Sequence, residues 1–149
     1  MATNNPRKPR VFVDADVLFA GSASASEHGA SLVILRLAEV TLIEALASEQ
    51  VIIEAERNLA DKLPATLPTF RLLVDRCLEI VPDPAPEQFV PFIGLADPKD
   101  MPILAAAVLN RCPWLASFNV RHYRPGHPDI AVLPPGAFIQ RVRHLLSAL

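Results

Sequence analysis

The stretch Val11-Phe12-Val13-Asp14-Ala15-Asp16-Val17-Leu18 decides how the rest of the chain is read. Three β-branched or aromatic apolar residues run without a polar break, the pattern of a strand buried on both faces, and two carboxylates follow. Strands of that kind belong to parallel sheets covered by helices. The C-terminal ends of such strands border the crevice where sites form. An Asp after a strand also serves as a turn residue or helix cap. Asp14 and Asp16 therefore gain meaning only from what gathers around them.

Downstream, helix-spaced and extended segments alternate. Apolar residues recur at helical spacing from Ala30 to Ala38, and Val40 to Leu46 reads as extended. Ser48 suits the N-cap of a helix over Glu49–Lys62 that Pro64 ends. Phe70–Cys77 reads as helix, Leu78–Val81 as strand, and Asp83-Pro84-Ala85-Pro86 as a surface connection. Ile103–Leu109 is a nearly all-apolar helix, Leu115–Phe118 and Ile130–Leu133 are strands, and Ala137–Leu146 is an amphipathic closing helix. The expected fold class is α/β, with a mostly parallel central sheet flanked by helices. Residues 1–9 are expected to form a flexible tail and residues 10–149 a single domain.

Composition narrows the function classes. With 51% apolar and 20% charged residues, the chain has the makeup of a globular protein. Its net charge of −2 excludes a protein that coats nucleic acid by bulk attraction, so any nucleic-acid contact must be local. Two basic groups are available for such contact: Arg7, Lys8 and Arg10 before the first strand, and Arg121, His122, Arg124 and His127 late in the chain. Both groups also suit a solvated surface. Cys77 and Cys112 lack metal-ligand spacing and read as buried small apolar residues. No signal peptide or membrane span is evident, and a soluble, cytoplasmic protein is expected. The apolar helices at 30–38 and 137–146 can pack internally or supply a homodimer surface.

Two further carboxylates stand out. Glu54 interrupts the apolar run Val51-Ile52-Ile53, where a charge needs a partner; pairing with Arg57 or Asn58 is the plain alternative. Asp100 precedes Met101-Pro102 at a helix start, so it is a capping carboxylate by position, with one oxygen left for other work. Clustered Asp and Glu oxygens are what Mg²⁺ or Mn²⁺ sites are built from, and such ions can drive phosphodiester hydrolysis without a nucleophilic side chain.

The order of these segments resembles the PIN domain. The resemblance rests on the strand ending at Asp14 and on Ser48-Glu49-Gln50-Val51-Ile52-Ile53-Glu54-Ala55-Glu56-Arg57-Asn58-Leu59. It continues through Asp100-Met101-Pro102-Ile103-Leu104-Ala105-Ala106-Ala107 to Leu115-Ala116-Ser117-Phe118-Asn119-Val120-Arg121-His122-Tyr123. It implies a metal-dependent endoribonuclease, with small bacterial members being toxins of VapC-like toxin–antitoxin pairs. Asp14, Glu54 and Asp100 would then be the catalytic acids, holding Mg²⁺ or Mn²⁺ together with Asn119. RNA would be the substrate and an antitoxin protein the partner. Asp16, Asp97, Arg121 and His122 are secondary candidates. Asn119 and His122 stand where further carboxylates are common, so a catalytically degenerate RNA- or protein-binding module is the alternative. The first stretch also resembles the nucleophile motif of haloacid-dehalogenase-like phosphatases, but that family's later Ser/Thr, Lys and acidic pair find no ordered match here.

Overall fold

The computed structural model describes residues 8–24 and 29–148; Arg7 and most of the expected tail lie outside the described residues. Five parallel strands form one sheet in the order β3-β2-β1-β4-β5: β1 (Arg10–Val13), β2 (Glu44–Ser48), β3 (Leu78–Val81), β4 (Trp114–Ala116) and β5 (Ala131–Leu133). The helices are α1 (Ala15–Ala23), α2 (Ala30–Glu39), α3 (Glu49–Lys62), α4 (Leu67–Cys77), α5 (Met101–Leu109) and α6 (Pro135–Ser147), with 3₁₀ turns at Pro64–Thr66, Pro86–Phe92 and Val120–Tyr123. The α/β class and parallel sheet expected from the sequence are thus found.

The strand order places a crevice. The chain builds outward from β1 through β2 to β3, then returns to the other side of β1 with β4 and β5. Connections leaving β1 and β4 diverge at that switch, so a gap opens at their C-terminal ends. Asp14 follows β1 at this gap, and its backbone N–H donates to the Ala116 carbonyl on β4 at 3.0 Å. Ser117 follows β4 and is tied by its own N–H to the Leu133 carbonyl at the end of β5.

Beneath the gap the core is continuous. Val11, Phe12 and Val13 are fully buried, as expected for a strand covered on both faces. The apolar helix α5 buries Ile103 through Ala107. Helices α2 and α6 pack on each other, placing Ile34, Leu35, Phe138 and Val142 inside. Gly21 on α1 allows close approach to α2, because a Cβ there would stand 2.9 Å from the Leu35 Cδ1 atom.

Several local expectations are corrected. Val40–Ile43 is a turn, with Thr41 at φ 65°, and the strand begins at Glu44. Ser48 occupies the N-cap of α3, but its side chain makes no cap bond; the Asp83 carboxylate reaches across from the loop after β3 and accepts the Gln50 N–H at 2.9 Å. Phe118 lies beyond the end of β4. Helix α1 directly after β1 is additional to the segments expected above. Arg10 and Lys8 lie at the N-terminal end of β1, on the edge of the sheet opposite the gap. There Arg10 pairs with Glu44 and donates to the Asn110 carbonyl, which is a structural use. Among the described residues no helix is long and apolar enough to cross a membrane.

Candidate metal centre

A cleft of about 190 Å³ opens at the switch point, lined by Asp14, Asp16, Glu54, Asp100, Asn119 and His122, with Phe19, Asn58, Lys62 and Lys99 completing its walls. Four elements bring the carboxylates there. Asp14 ends β1 and Asp16 lies in the first turn of α1; Glu54 projects from α3; Asp100 stands at the start of α5.

Asp14 is the most constrained of them. It is 6% exposed and caps α1, its Oδ1 accepting the Ala15 N–H at 2.8 Å. Its Oδ2 accepts two hydroxyls at 2.7 Å, from Ser117 Oγ and from Tyr123. Capping and site placement, alternatives in the sequence, coincide. Burial, and then the charge of Asp14, push the Tyr123 hydroxyl up from its ordinary value, so it remains a donor. Tyr123 is 2% exposed and fixes the rotamer of the carboxylate it touches.

Asp16 is held differently. Its Oδ2 accepts the Phe118 N–H at 3.1 Å and the Asn119 Nδ2 at 3.0 Å, whereas its buried Oδ1 has no hydrogen-bond partner. Burial, and next the charge of Asp14, push its carboxyl up to about 6. Glu54 and Asp100 are also raised, each by burial first and by Asp14 second, with Lys99 opposing the shift in both. Asp100 occupies the α5 N-cap without making a side-chain cap bond; its Oδ2 lies 3.1 Å from the Nδ1 of His122 instead. The plain capping role for Asp100 is therefore not what the structure shows. Glu54 likewise forms no ion pair with Arg57 among the described residues, and Ile53 beside it is exposed rather than part of a buried face.

These observations fit a hard divalent cation. The donors around the cleft are mainly carboxylate oxygens, burial and then the charge of Asp14 raise proton affinity at three of them, and one buried oxygen has no partner. Among the described residues, the trio whose ligand atoms all lie within 4.8 Å of one another is Asp97, Asp100 and His122, a different set from Asp14, Glu54 and Asp100. The Ser117 and Tyr123 hydroxyls hold Asp14 toward the β4 side of the cleft. Asn119, expected as a ligand, directs its amide nitrogen at Asp16. Arg121 and Arg124 are exposed and do not line the cleft, while His127 packs on Phe92 and accepts the Asp129 N–H.

A family model described as PIN domain matches residues 10–121, three quarters of the chain. The chain belongs to the PIN-domain family. That match contains the stretch shared with the dehalogenase-like motif and settles the two resemblances in favour of PIN. A solved structure of VapBC2 from Rickettsia felis, bound to a DNA fragment from their promoter, superposes with a TM-score of 0.64 at 13% identity, covering 83% of this chain and 96% of that one. VapC20 of Mycobacterium tuberculosis, described as a sarcin–ricin loop cleaving toxin, gives 0.56 at 17% identity, covering 80% and 98%. At these identities the likeness concerns the fold. A comparison with curated proteins finds no significant match.

Sequence reasoning missed Ser117, Tyr123, Phe19, Lys62 and Lys99 in this PIN-domain cleft. Tyr123 offers the sharpest test among them. Tyr123→Phe removes one of the three hydrogen bonds to the Asp14 carboxylate while keeping the ring. It is expected to weaken Mn²⁺ binding in calorimetry about tenfold and to cost about 1 kcal/mol in urea unfolding. Unchanged affinity would mean that Ser117 and the Ala15 N–H suffice to hold Asp14.

Proposed function

We propose that this PIN-domain protein is a Mg²⁺- or Mn²⁺-dependent endoribonuclease that acts as the toxin of a toxin–antitoxin pair. The observation that carries the nuclease reading is the convergence of Asp14, Asp16, Glu54 and Asp100 on one cleft, with a buried Asp16 oxygen left without a partner. Asp14, Glu54 and Asp100 would hold the cation, with Asp16 Oδ1 beside them. When bound, such an ion supplies Lewis acidity and lowers the pKa of water. Asp14 keeps its orientation through Ser117 and Tyr123, and His122 does the same for Asp100. Asn119 adds no charge; its amide steadies Asp16. The description of VapC20 as a toxin, on a similar fold, supports the toxin role and with it an antitoxin partner.

The test is cleavage of mixed-sequence single-stranded RNA. Mn²⁺ or Mg²⁺ should yield phosphomonoester and hydroxyl ends, and EDTA should abolish the products. Cyclic phosphate ends would show the ribose hydroxyl, not water, as nucleophile, and cleavage that persists in EDTA would remove the metal from the reading. Salt-sensitive RNA binding without cleavage in either metal would favour the degenerate binding module.

A further inference from the structure

Lys99 lies in the turn Asp97-Pro98-Lys99-Asp100 that leads into α5, and it borders the acidic cleft. The turn is tied at both ends. The Asp97 N–H donates to the His122 carbonyl at 2.7 Å, and the Asp97 carbonyl accepts the N–H groups of Asp100 and Met101 at 2.8 and 2.9 Å. Pro98 fixes one backbone torsion within it. From α3, the side-chain nitrogen of Gln50 reaches the Lys99 carbonyl at 3.5 Å. The root of the Lys99 side chain is thus held beside Asp100, its neighbour in the chain, and its charge opposes the raised proton affinity of both Asp100 and Glu54. The β4 side of the cleft is poorer in free acid. Asn119 turns its NH₂ to Asp16 Oδ2, which also accepts the Phe118 N–H, so that oxygen already has two donors. The carboxylates of Asp14, Asp16, Glu54 and Asp100 therefore meet two ammonium groups, those of Lys62 and Lys99, and one divalent cation brings the cleft to neutrality. A second ion would find few anionic oxygens left to bind.

We propose that the cleft takes a single divalent cation and that the Lys99 ammonium supplies the second positive charge, offsetting the charge that gathers on the phosphate oxygens as the diester is cleaved. The inference rests on the nuclease reading and names a catalytic residue for it. In the hydrolysis, the oxygen of water bonds to phosphorus while the bond from phosphorus to the leaving ribose oxygen breaks. One proton of the water ends on that ribose oxygen, and the other passes from the new phosphomonoester to solvent. Lys99 transfers no proton. Its ammonium acts by standing where charge grows, and a turn tied at both ends keeps it there without reorganisation during the reaction. Lys62 is placed otherwise. It sits in the last turn of α3 with its ammonium 5.8 Å from the Phe19 ring centroid, which commits it to the wall of the cleft.

Two measurements test this together: calorimetry with Mn²⁺ in the absence of RNA, and cleavage of mixed-sequence RNA at saturating Mn²⁺. Wild type is expected to bind one Mn²⁺ per chain. Lys99→Met removes a like charge from beside the ion, so it is expected to bind Mn²⁺ about threefold tighter. It is nevertheless expected to lower kcat about a hundredfold, with KM for the RNA changed less than about threefold. Lys99→Arg keeps the charge and should return kcat to within about tenfold of wild type. A lysine that only eased the repulsion between Glu54 and Asp100 would give the tighter binding without the loss of kcat, and one that only shaped the turn would give weaker binding. Arg143→Gln, on α6 and outside the cleft, should match wild type in both measurements. Lys99 and Arg143 are exposed, and melting curves establish that each variant folds. Two ions per chain, an unchanged kcat in Lys99→Met, or weaker Mn²⁺ binding by that variant would each overturn the proposal. If wild type and Lys99→Met cleave equally well in Mn²⁺, the nuclease reading survives that result. If wild type binds Mn²⁺ and cleaves no RNA, both fall.

Discussion

Asp14→Asn is expected to eliminate measurable Mn²⁺ binding in calorimetry and to reduce RNA cleavage at least about a thousandfold, which is about 4 kcal/mol of barrier. The reason lies in the number of bonds Asp14 accepts. Its two oxygens take the Ala15 N–H, the Ser117 hydroxyl and the Tyr123 hydroxyl, so every protein contact is a donor pointing at the carboxylate. An asparagine has one oxygen and one NH₂. If the oxygen serves the two hydroxyls, the NH₂ confronts the Ala15 N–H; if it serves Ala15, the hydroxyls lose their acceptor. The first arrangement opposes two donors in a buried place, the second makes the hydroxyls turn to accept from the NH₂ and leaves their own protons without this acceptor, and both remove the charge that most concerns the cleft. Loss of that charge has a second readout, since Asp14 is the chief charged cause of the raised Asp16, Glu54 and Asp100 carboxyls. Their titration, followed by NMR, should move down toward ordinary carboxylate values in the variant. Retained Mn²⁺ affinity together with shifted titrations would place the ion on the Asp97, Asp100 and His122 side of the cleft instead.

How much of this was legible follows from the kind of signal each residue carries. Asp14 was readable because an uninterrupted apolar strand ends at it, and Glu54 because a charge breaks an apolar run. Asp100 was readable because a proline two residues later marks a helix start. Ser117 and Tyr123 carry no such mark. They are ordinary hydroxyl residues more than a hundred positions from Asp14, and only the parallel pairing of β1 with β4 brings them to it. Helix α1 escaped for the opposite reason. It is apolar almost all round, being covered by α2, α3 and α4, so it shows no stripe at helical spacing. Val40 to Ile43 looked extended because β-branched residues dominate it, but Thr41 turns the chain in the left-handed region to start β2 in register with β1. At Ser48 the cap chemistry was right in kind and wrong in residue. The partner that meets the α3 N-terminus, Asp83, comes from a loop that only the β2–β3 pairing sets beside it.

Asp16→Asn is expected to do two opposite things: stabilise the metal-free protein above pH 7 and weaken its hold on Mn²⁺. Burial first and the Asp14 charge second lift the folded-state carboxyl to about 6, from 3.8. The folded protein therefore binds this proton more tightly than the unfolded chain does. The stabilisation is full below the unfolded value and disappears as pH rises through the folded one. The stability lost between pH 4 and pH 7 is no more than about 2 kcal/mol once partial solvent access is allowed for. Glu54 and Asp100 shift in the same direction and add to the slope. Asparagine fits the site: its oxygen can replace Oδ2 as acceptor for Phe118 and Asn119, and its NH₂ takes the place of the unpartnered Oδ1. Without metal, the variant should melt about 3–6 °C above wild type at pH 8 and level with it near pH 4. With Mn²⁺ at about a hundred times the dissociation constant, wild type should gain about 2.7 kcal/mol at pH 8. It should gain less at pH 5, where protons compete for the same oxygens, and the variant should gain less at both. A metal-free variant no more stable than wild type at pH 8 would mean that Asp16 is not charged against its neighbours in the folded protein. The cleft would then lack the electrostatic tension that makes a cation its natural complement.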